Sequence, residues 1–311
     1  MFLRSRFHIS IVAILAVQLS VALLARGQTQ ASCIFKRFAL HSPATGVRTL
    51  FPGGVNDYAT VVGVAEDLDD VVLNQGFTRF SNGGLNFYAA RLAGRVVDTF
   101  LADRNDNGLT IGVASGGAGG FTPFSLLGST FTPLTLTIGA TRISGISPSK
   151  VNNWGTMVGS YPGTSGKIHG FKRFSNGKGI TLDFPGAKET FPFGINDSGV
   201  IVGFYSATLP PHEIEHGFVY HNGHWATLDY PSSTRHTVLN GIDNAGVIVG
   251  GLVAGGFFKG SFIYENGTFK NVSLPNNSTC PTCPADLVGI SLRRGLIAGS
   301  SGMTGFIATC K

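Results

Sequence analysis

The stretch Gly194-Ile195-Asn196-Asp197-Ser198-Gly199-Val200-Ile201-Val202-Gly203 sets Asn-Asp-x-Gly between two apolar runs of strand type. Asn, Asp and Gly tolerate the positive φ of a tight turn, so the stretch reads as a β-hairpin. A lone hairpin is marginal in water and needs partners. The chain supplies them as copies at Val55-Asn56-Asp57, Arg104-Asn105-Asp106-Asn107-Gly108, Val151-Asn152-Asn153-Trp154-Gly155, Ile242-Asp243-Asn244-Ala245-Gly246 and, degenerate, Ile290 to Gly295. The glycines that close these hairpins, Gly63, Gly112, Gly159, Gly203, Gly250 and Gly299, are 49, 47, 44, 47 and 49 residues apart. Six copies at one period define a repeat architecture.

A second element runs in phase with the first. It reads Gly-Phe, an alternating strand, Asn-Gly and another strand ending in aromatic-Pro, clearest at Gly217-Phe218-Val219-Tyr220-His221-Asn222-Gly223 and Trp225 to Pro231. Its leading phenylalanines are Phe35, Phe77, Phe124, Phe171, Phe218, Phe262 and Phe306, spaced 42, 47, 47, 47, 44 and 44. Each period therefore carries four short strands, the content of one propeller blade. The expected fold is all-β, a propeller of six four-stranded blades, with seven as the alternative count. Phe and Val/Ile at alternating positions would fill the layers between blades, and the closing glycines would mark places where backbones pack closely. An insertion at about Leu85–Gly94 and the glycine-rich run at 115–120 interrupt the pattern. A phosphate loop would need a following Lys-Ser/Thr and a helix, which that run lacks.

The phased pattern Gly-Ile-Asn-Asp-x-Gly-x-Ile-Val-Gly, His-Gly-Phe at 169–171 and 216–218, and Asp-Phe/Tyr-Pro resembles the HAF-type extracellular repeat proteins of bacteria. The resemblance covers about residues 33–310, with Gly where the His-Ala-Phe signature has Ala. It implies an exported repeat protein and carries over no catalytic residues.

Residues 1–27, with Arg4 and Arg6 ahead of an apolar run from Ile9 to Leu24 and the small residues Ala25 and Gly27, read as a secretory signal peptide. Residues 28–311 would then form one repeat domain, extracellular or periplasmic, with no stable membrane anchor after cleavage. Removing Arg4, Arg6 and Arg26 and no acid lowers the formal charge from +6 to +3. Without a basic cluster interleaved with aromatics, the footprint of a nucleic-acid binder is missing. Four cysteines in an exported chain favour disulfides. The count leaves three pairings, and the two chain ends, both carrying the Phe-led strand, select Cys33 with Cys310, leaving Cys280 with Cys283 as a local bridge. Neighbouring antiparallel strands would hold the first pair at Cα atoms roughly 4.4–6.8 Å apart.

His212-Glu213-Ile214-Glu215-His216 matches His-Glu-x-x-His but follows Pro210-Pro211 and enters a strand, where zinc-peptidase chemistry needs a helix. Asp103 to Gly108 resembles the first half of a calcium loop, yet its twelfth position is Ala114. We therefore expect no metal and no cofactor. Asp183 and Asp229, in phase, are expected to satisfy backbone groups. The binding candidates are Trp154 in a hairpin turn, Tyr161 and Tyr205 just after closing glycines, and His169 and His216, placed at a common rim. They point to a non-enzymatic binding protein for a polysaccharide or an extracellular protein. A polysaccharide hydrolase or lyase is the alternative, which convergent carboxylates near the axis would favour, and a purely structural surface role is the third.

Overall fold

A computed structural model describes residues 29–38, 48–67, 73–115, 120–164, 166–208, 214–231, 236–254, 257–274, 285–301 and 304–311. The expected signal segment, Cys280, Cys283, His212 and Glu213 lie outside these. Among the described residues every regular element is a strand.

The strands run in antiparallel meanders. Arg48–Val55, Val61–Asp67, Gln75–Arg79 and Leu85–Tyr88 make the first, and Asp98–Arg104, Thr110–Ser115, Phe121–Leu127 and Thr130–Pro133 the second. The third is Ser147–Val151, Met157–Pro162, Ile168–Arg173 and Lys178–Leu182, linked through one parallel pair, Ile168 with Glu189, to the fourth. That fourth meander is Glu189–Ile195, Ile201–Ser206, Glu215–His221 and His224–Thr227. The fifth is His236–Ile242, Ile248–Ala254, Phe257–Glu265 and Thr268–Val272, with Thr29–Gln30 added parallel along its outer edge. In the sixth, Asp286–Ile290, Ile297–Ser301 and Thr304–Cys310 are completed by Cys33–Phe38 from the other end of the chain. Each first strand packs on the second strand of the meander before it, and the first meander packs on the sixth. The order is cyclic.

The glycine spacing has one cause. A Cβ on Gly203 would strike the Phe191 carbonyl and come within 2.9 Å of the Phe218 ring, and Gly63, Gly112, Gly159, Gly250 and Gly299 meet the corresponding carbonyl and phenylalanine. The second strand thus gives up a side chain so that the third-strand phenylalanine can lie across it. Phe77, Phe124, Phe171, Phe218, Phe262 and Phe306 are all buried there. The aromatic of Asp-aromatic-Pro reaches into the next meander. Phe184 stacks on Tyr205 at 3.6 Å, and Tyr230 packs on Phe262 at 5.6 Å while its hydroxyl donates to Asn271.

Two expectations are corrected. Leu85–Tyr88 is the fourth strand of the first meander rather than an insertion; the added piece is the small hairpin of Arg91–Leu92 with Arg95–Val96, and a second, Leu136–Ile138 with Thr141–Ile143, precedes the third meander. Phe35 does not belong to the third-strand phenylalanines, because its strand is the fourth of the sixth meander and its ring meets Phe306 edge-on at 5.3 Å. The disulfide nevertheless forms, since Cys33 and Cys310 are directly opposed, with S–S 2.04 Å and Cα atoms 4.0 Å apart, slightly closer than expected.

Candidate functional site

The turns between first and second strands are wired to one another. Asn56, Asn105, Asn152 and Asn196 are buried, and each side-chain oxygen accepts N–H groups of its own turn, as Asn152 Oδ1 does from Trp154 at 3.1 Å and Thr156 at 3.0 Å. Each amide nitrogen donates onward to the carbonyl of the equivalent residue one repeat later: Asn56 to Asn105 at 3.3 Å, Asn105 to Asn152 at 2.9 Å, Asn152 to Asn196 at 3.1 Å, Asn196 to Asp243 at 3.0 Å. The next residue makes a second circle. The backbone N–H groups of Asp57, Asp106, Asn153 and Asp197 donate to Asp106, Asn153, Asp197 and Asn244 side chains, each at 2.9 Å. Asn244 donates to the Leu292 carbonyl at 2.6 Å, and Arg293 and Arg294 N–H groups close the ring on Asp57 Oδ1 at 3.0 and 2.9 Å. The positive φ that the Asn-Asp-x-Gly turn requires falls on its last residue, at Ala59, Gly108, Gly155, Gly199, Gly246 and Gly295, leaving the Asn and Asp side chains free to bridge repeats.

Beneath the turns, after a β-bulge in every first strand, come Gly54, Asp103, Lys150, Gly194, Gly241 and Gly289. The glycines let the strands close on the axis, where a Cβ on Gly194 would come within 2.9 Å of Gly241 Cα. Lys150 crosses it. Its Nζ donates to the Gly53 carbonyl at 2.6 Å, lies 3.7 Å from Asp103 Oδ1, and would sit 2.8 Å from a Cβ on Gly289. The axial cavity is about 20 Å³, room for a water or two. A small-molecule pocket needs hundreds of Å³, so the axis is a plug. Asp103, first residue of the calcium-like run, serves this plug, and burial pushes its carboxyl up against the opposing pull of Lys150.

The expected candidates separate. Trp154 is 71% exposed on the turn face, its indole N–H held on the Asp197 carbonyl at 3.0 Å. Tyr161 and Tyr205 lie at the opposite ends of their strands, since Met157 pairs with Arg173 at the turn end and Tyr161 with His169 at the other. There Tyr161 stacks on His169 and Tyr205 on His216, at 5.1 and 5.3 Å, with each imidazole Nδ1 on Asp183 (2.8 Å) or Asp229 (2.7 Å). Asp183 and Asp229 therefore hold the repeated histidines; Asp229 also accepts the Gly217 N–H at 3.0 Å, as expected of a backbone acceptor. Lys167 adds an ion pair to Asp183 at 3.0 Å. Glu215 and His216 begin a strand, and Glu215 pairs with His236 at 3.1 Å, a placement without helical His-Glu-x-x-His geometry.

Sequence reading missed Tyr58. It occupies the turn position of Trp154, two repeats earlier, and is 65% exposed. A closer alignment of the degenerate turn Asn56-Asp57-Tyr58-Ala59 would have found it. Asp57 and Asp106 are the convergent carboxylates. Burial would raise Asp57, but the N–H groups of Arg293 and Arg294 hold it below the usual range; burial raises Asp106, and the Asp57 charge adds to that. Both Asp106 oxygens already accept ring donors, Asp57 N–H and the Asn153 amide.

Burial also raises Asp243, and Asp286 to about 6. A carboxyl whose folded pKa lies above its unfolded value binds its proton more tightly when folded, so stability falls as pH rises through that interval. We expect the protein to be more stable near pH 5 than near pH 7. Asp286→Asn should flatten the curve between about pH 4 and pH 6 and raise stability at pH 7 by up to about 3 kcal/mol. Denaturant melts across pH test this, and an unchanged slope would refute it.

No family model matches the chain, and no curated protein matches it. Among solved structures, a gluconolactonase from Xanthomonas campestris is similar at 12% identity and a TM-score of 0.51, over 93% of this chain and 99% of that one. The β-propeller domain of the Trilobed protease from Pyrococcus furiosus, described as having an open velcro topology, is similar at 10% identity and a TM-score of 0.50, over 85% and 84%. These likenesses concern the fold alone, and the fold is a β-propeller.

Proposed function

We propose that the chain is an exported, six-bladed HAF-type propeller, each meander a blade, that acts outside the cytoplasm as a non-enzymatic binding protein for polysaccharide on its turn face. The observation that carries this reading is the pair Tyr58 and Trp154, two exposed aromatics at one turn position of two blades around the same axis. Trp154 is fixed by its bond to Asp197, so little ordering cost remains when a sugar ring stacks on it. Asn107, on the turn between them, is also exposed, with its amide on the Asn153 carbonyl at 2.8 Å. The disulfide is compatible with an oxidising compartment. No helix among the described residues is long and apolar enough to cross a membrane.

The hydrolase reading would rest on Asp57 and Asp106, but ring hydrogen bonds occupy both Asp106 oxygens and Asp57 Oδ1, Asp57 Oδ2 is buried, and the axial cavity beside Asp106 and Lys150 admits no sugar. A glycan array probed with residues 28–311 tests the binding reading. Trp154→Ala and Tyr58→Ala should each weaken binding about tenfold with unchanged melting temperature, a loss in the range of an exposed aromatic anchor. Silence across the array, or binding indifferent to both substitutions, would reject it.

A further inference from the structure

We infer that the ligand is an acidic polysaccharide whose carboxylates are read by Arg293 and Arg294; this rests on the polysaccharide reading above and names its substrate class. The outward position of the six turns carries Tyr58, Asn107, Trp154, Ser198, Ala245 and the Arg293-Arg294 pair, all exposed. In ring order, four adjacent turns present Arg-Arg, Tyr, Asn and Trp, while the remaining two present Ser and Ala. The large groups form an arc on one side of the axis, the shape an extended chain of sugar rings can follow.

The two arginines owe their place to a longer turn. The Asn56 N–H closes its turn on Thr60, four residues on, whereas Ser291 closes on Leu296, five residues on. The extra residue leaves two consecutive arginines outside, their backbone N–H groups fixed on Asp57 Oδ1. Asp57 Oδ1 is thereby engaged by main chain, and Asp57 Oδ2 is buried. Among the described residues, the one side-chain hydrogen bond of either arginine runs from Arg294 Nη1 to the neutral Asp57 carbonyl, 3.0 Å away, next to Tyr58. Lys150, Lys167, Lys270 and three histidines make ion pairs elsewhere among the described residues. The acids of the same face are turned inward, with Asp106 holding the Asn153 amide, and Asp197 Oδ2 the amides of Asn153 and Asn244. The outward charge beside the first aromatic is therefore cationic. A guanidinium fork fits a carboxylate through two parallel hydrogen bonds, and a uronic acid offers a carboxylate beside an apolar ring face. Arg293 and Arg294 would take the carboxylate while Tyr58 takes the ring.

Affinity electrophoresis of residues 28–311 in gels holding polygalacturonate, its fully methyl-esterified form, or dextran sulfate tests this. We expect retention by polygalacturonate that falls with added salt and is about tenfold weaker on the ester. Arg293→Ala should weaken polygalacturonate binding comparably, Arg293→Lys less, and neither should move the melting temperature. Tyr58→Ala should weaken binding to polygalacturonate and ester alike. Equal binding to acid and ester, or an Arg293→Ala variant that binds polygalacturonate normally, overturns the uronate assignment while leaving a polysaccharide site standing. Dextran sulfate bound as tightly as polygalacturonate, with Tyr58→Ala without effect on either, reduces the patch to general ion exchange and also overturns it. Silence on these polymers together with a silent glycan array removes the polysaccharide reading itself.

Discussion

Replacing Cys33 and Cys310 together by serine is expected to lower the unfolding free energy by about 5 kcal/mol, the value the chain-entropy treatment assigns to a bridge across several hundred residues. The bond joins residues 277 apart in sequence and ties the outer strand of the sixth meander to its neighbour. In a ring, opening requires two adjacent blades to part, and this blade is the one made from both chain ends. Without the bridge the closure still has six opposed residue pairs from Cys33–Cys310 to Phe38–Gly305, the Lys311 N–H on the Ser32 carbonyl at 2.9 Å, and the edge-on contact of Phe35 with Phe306. The double variant should therefore fold, with reduced stability and a steeper denaturant slope, because the unlinked unfolded chain is less compact. Wild type in reductant should match it. A loss under 1 kcal/mol would mean that non-covalent closure alone holds the blade, and a marked fall in slope would mean that the sixth meander opens on its own.

The legible part of this protein was the part written in short-range chemistry. Asn-Gly at 222–223 and 266–267 takes positive φ at both residues, as a two-residue hairpin demands. The closing glycines advertise their spacing because backbone and ring collide there in every copy. What was obscure depends on partners one repeat away. Asn196 reads locally as a turn residue, yet its amide reaches the Asp243 carbonyl 47 residues on, a separation equal to the repeat period. Asp103 and Lys150 were legible only once the six first strands are aligned, because they break a column that is otherwise glycine. The Phe35 spacing of 42, short of the 47 that follows it, was the sign that its strand plays a different part. His169 and Asp183 recur in phase with His216 and Asp229, and their pairing across neighbouring strands was available from that phase.

Asn152→Ala is expected to cost about 4 kcal/mol, far above an ordinary surface turn substitution, because one side chain serves two turns. Its loss leaves the N–H groups of Trp154 and Thr156 without their acceptor, each costing about 1–3 kcal/mol when buried, and strips the Asn196 carbonyl of one of its two donors, leaving the Gly199 N–H. Asn152→Asp separates the two roles. The carboxylate keeps an acceptor for both N–H groups but turns a charged oxygen toward the Asn196 carbonyl at a buried site. The fifth repeat already carries this substitution: Asp243 accepts Ala245 and Val247 N–H groups at 2.9 and 2.8 Å, burial raises its carboxyl, and the onward link passes to the Asn244 N–H instead. At position 152 the neighbouring N–H, of Asn153, is already committed to Asp197. The variant should thus be close to wild type near pH 4, where a protonated carboxyl can donate, and should lose stability as pH rises, since its folded pKa lies above the unfolded one. Denaturant melts of both variants at pH 4 and pH 7 decide the matter. If Asn152→Ala costs less than 1 kcal/mol, or Asn152→Asp shows no dependence on pH, the asparagine ring is a consequence of blade packing rather than one of the bonds that holds the blades together.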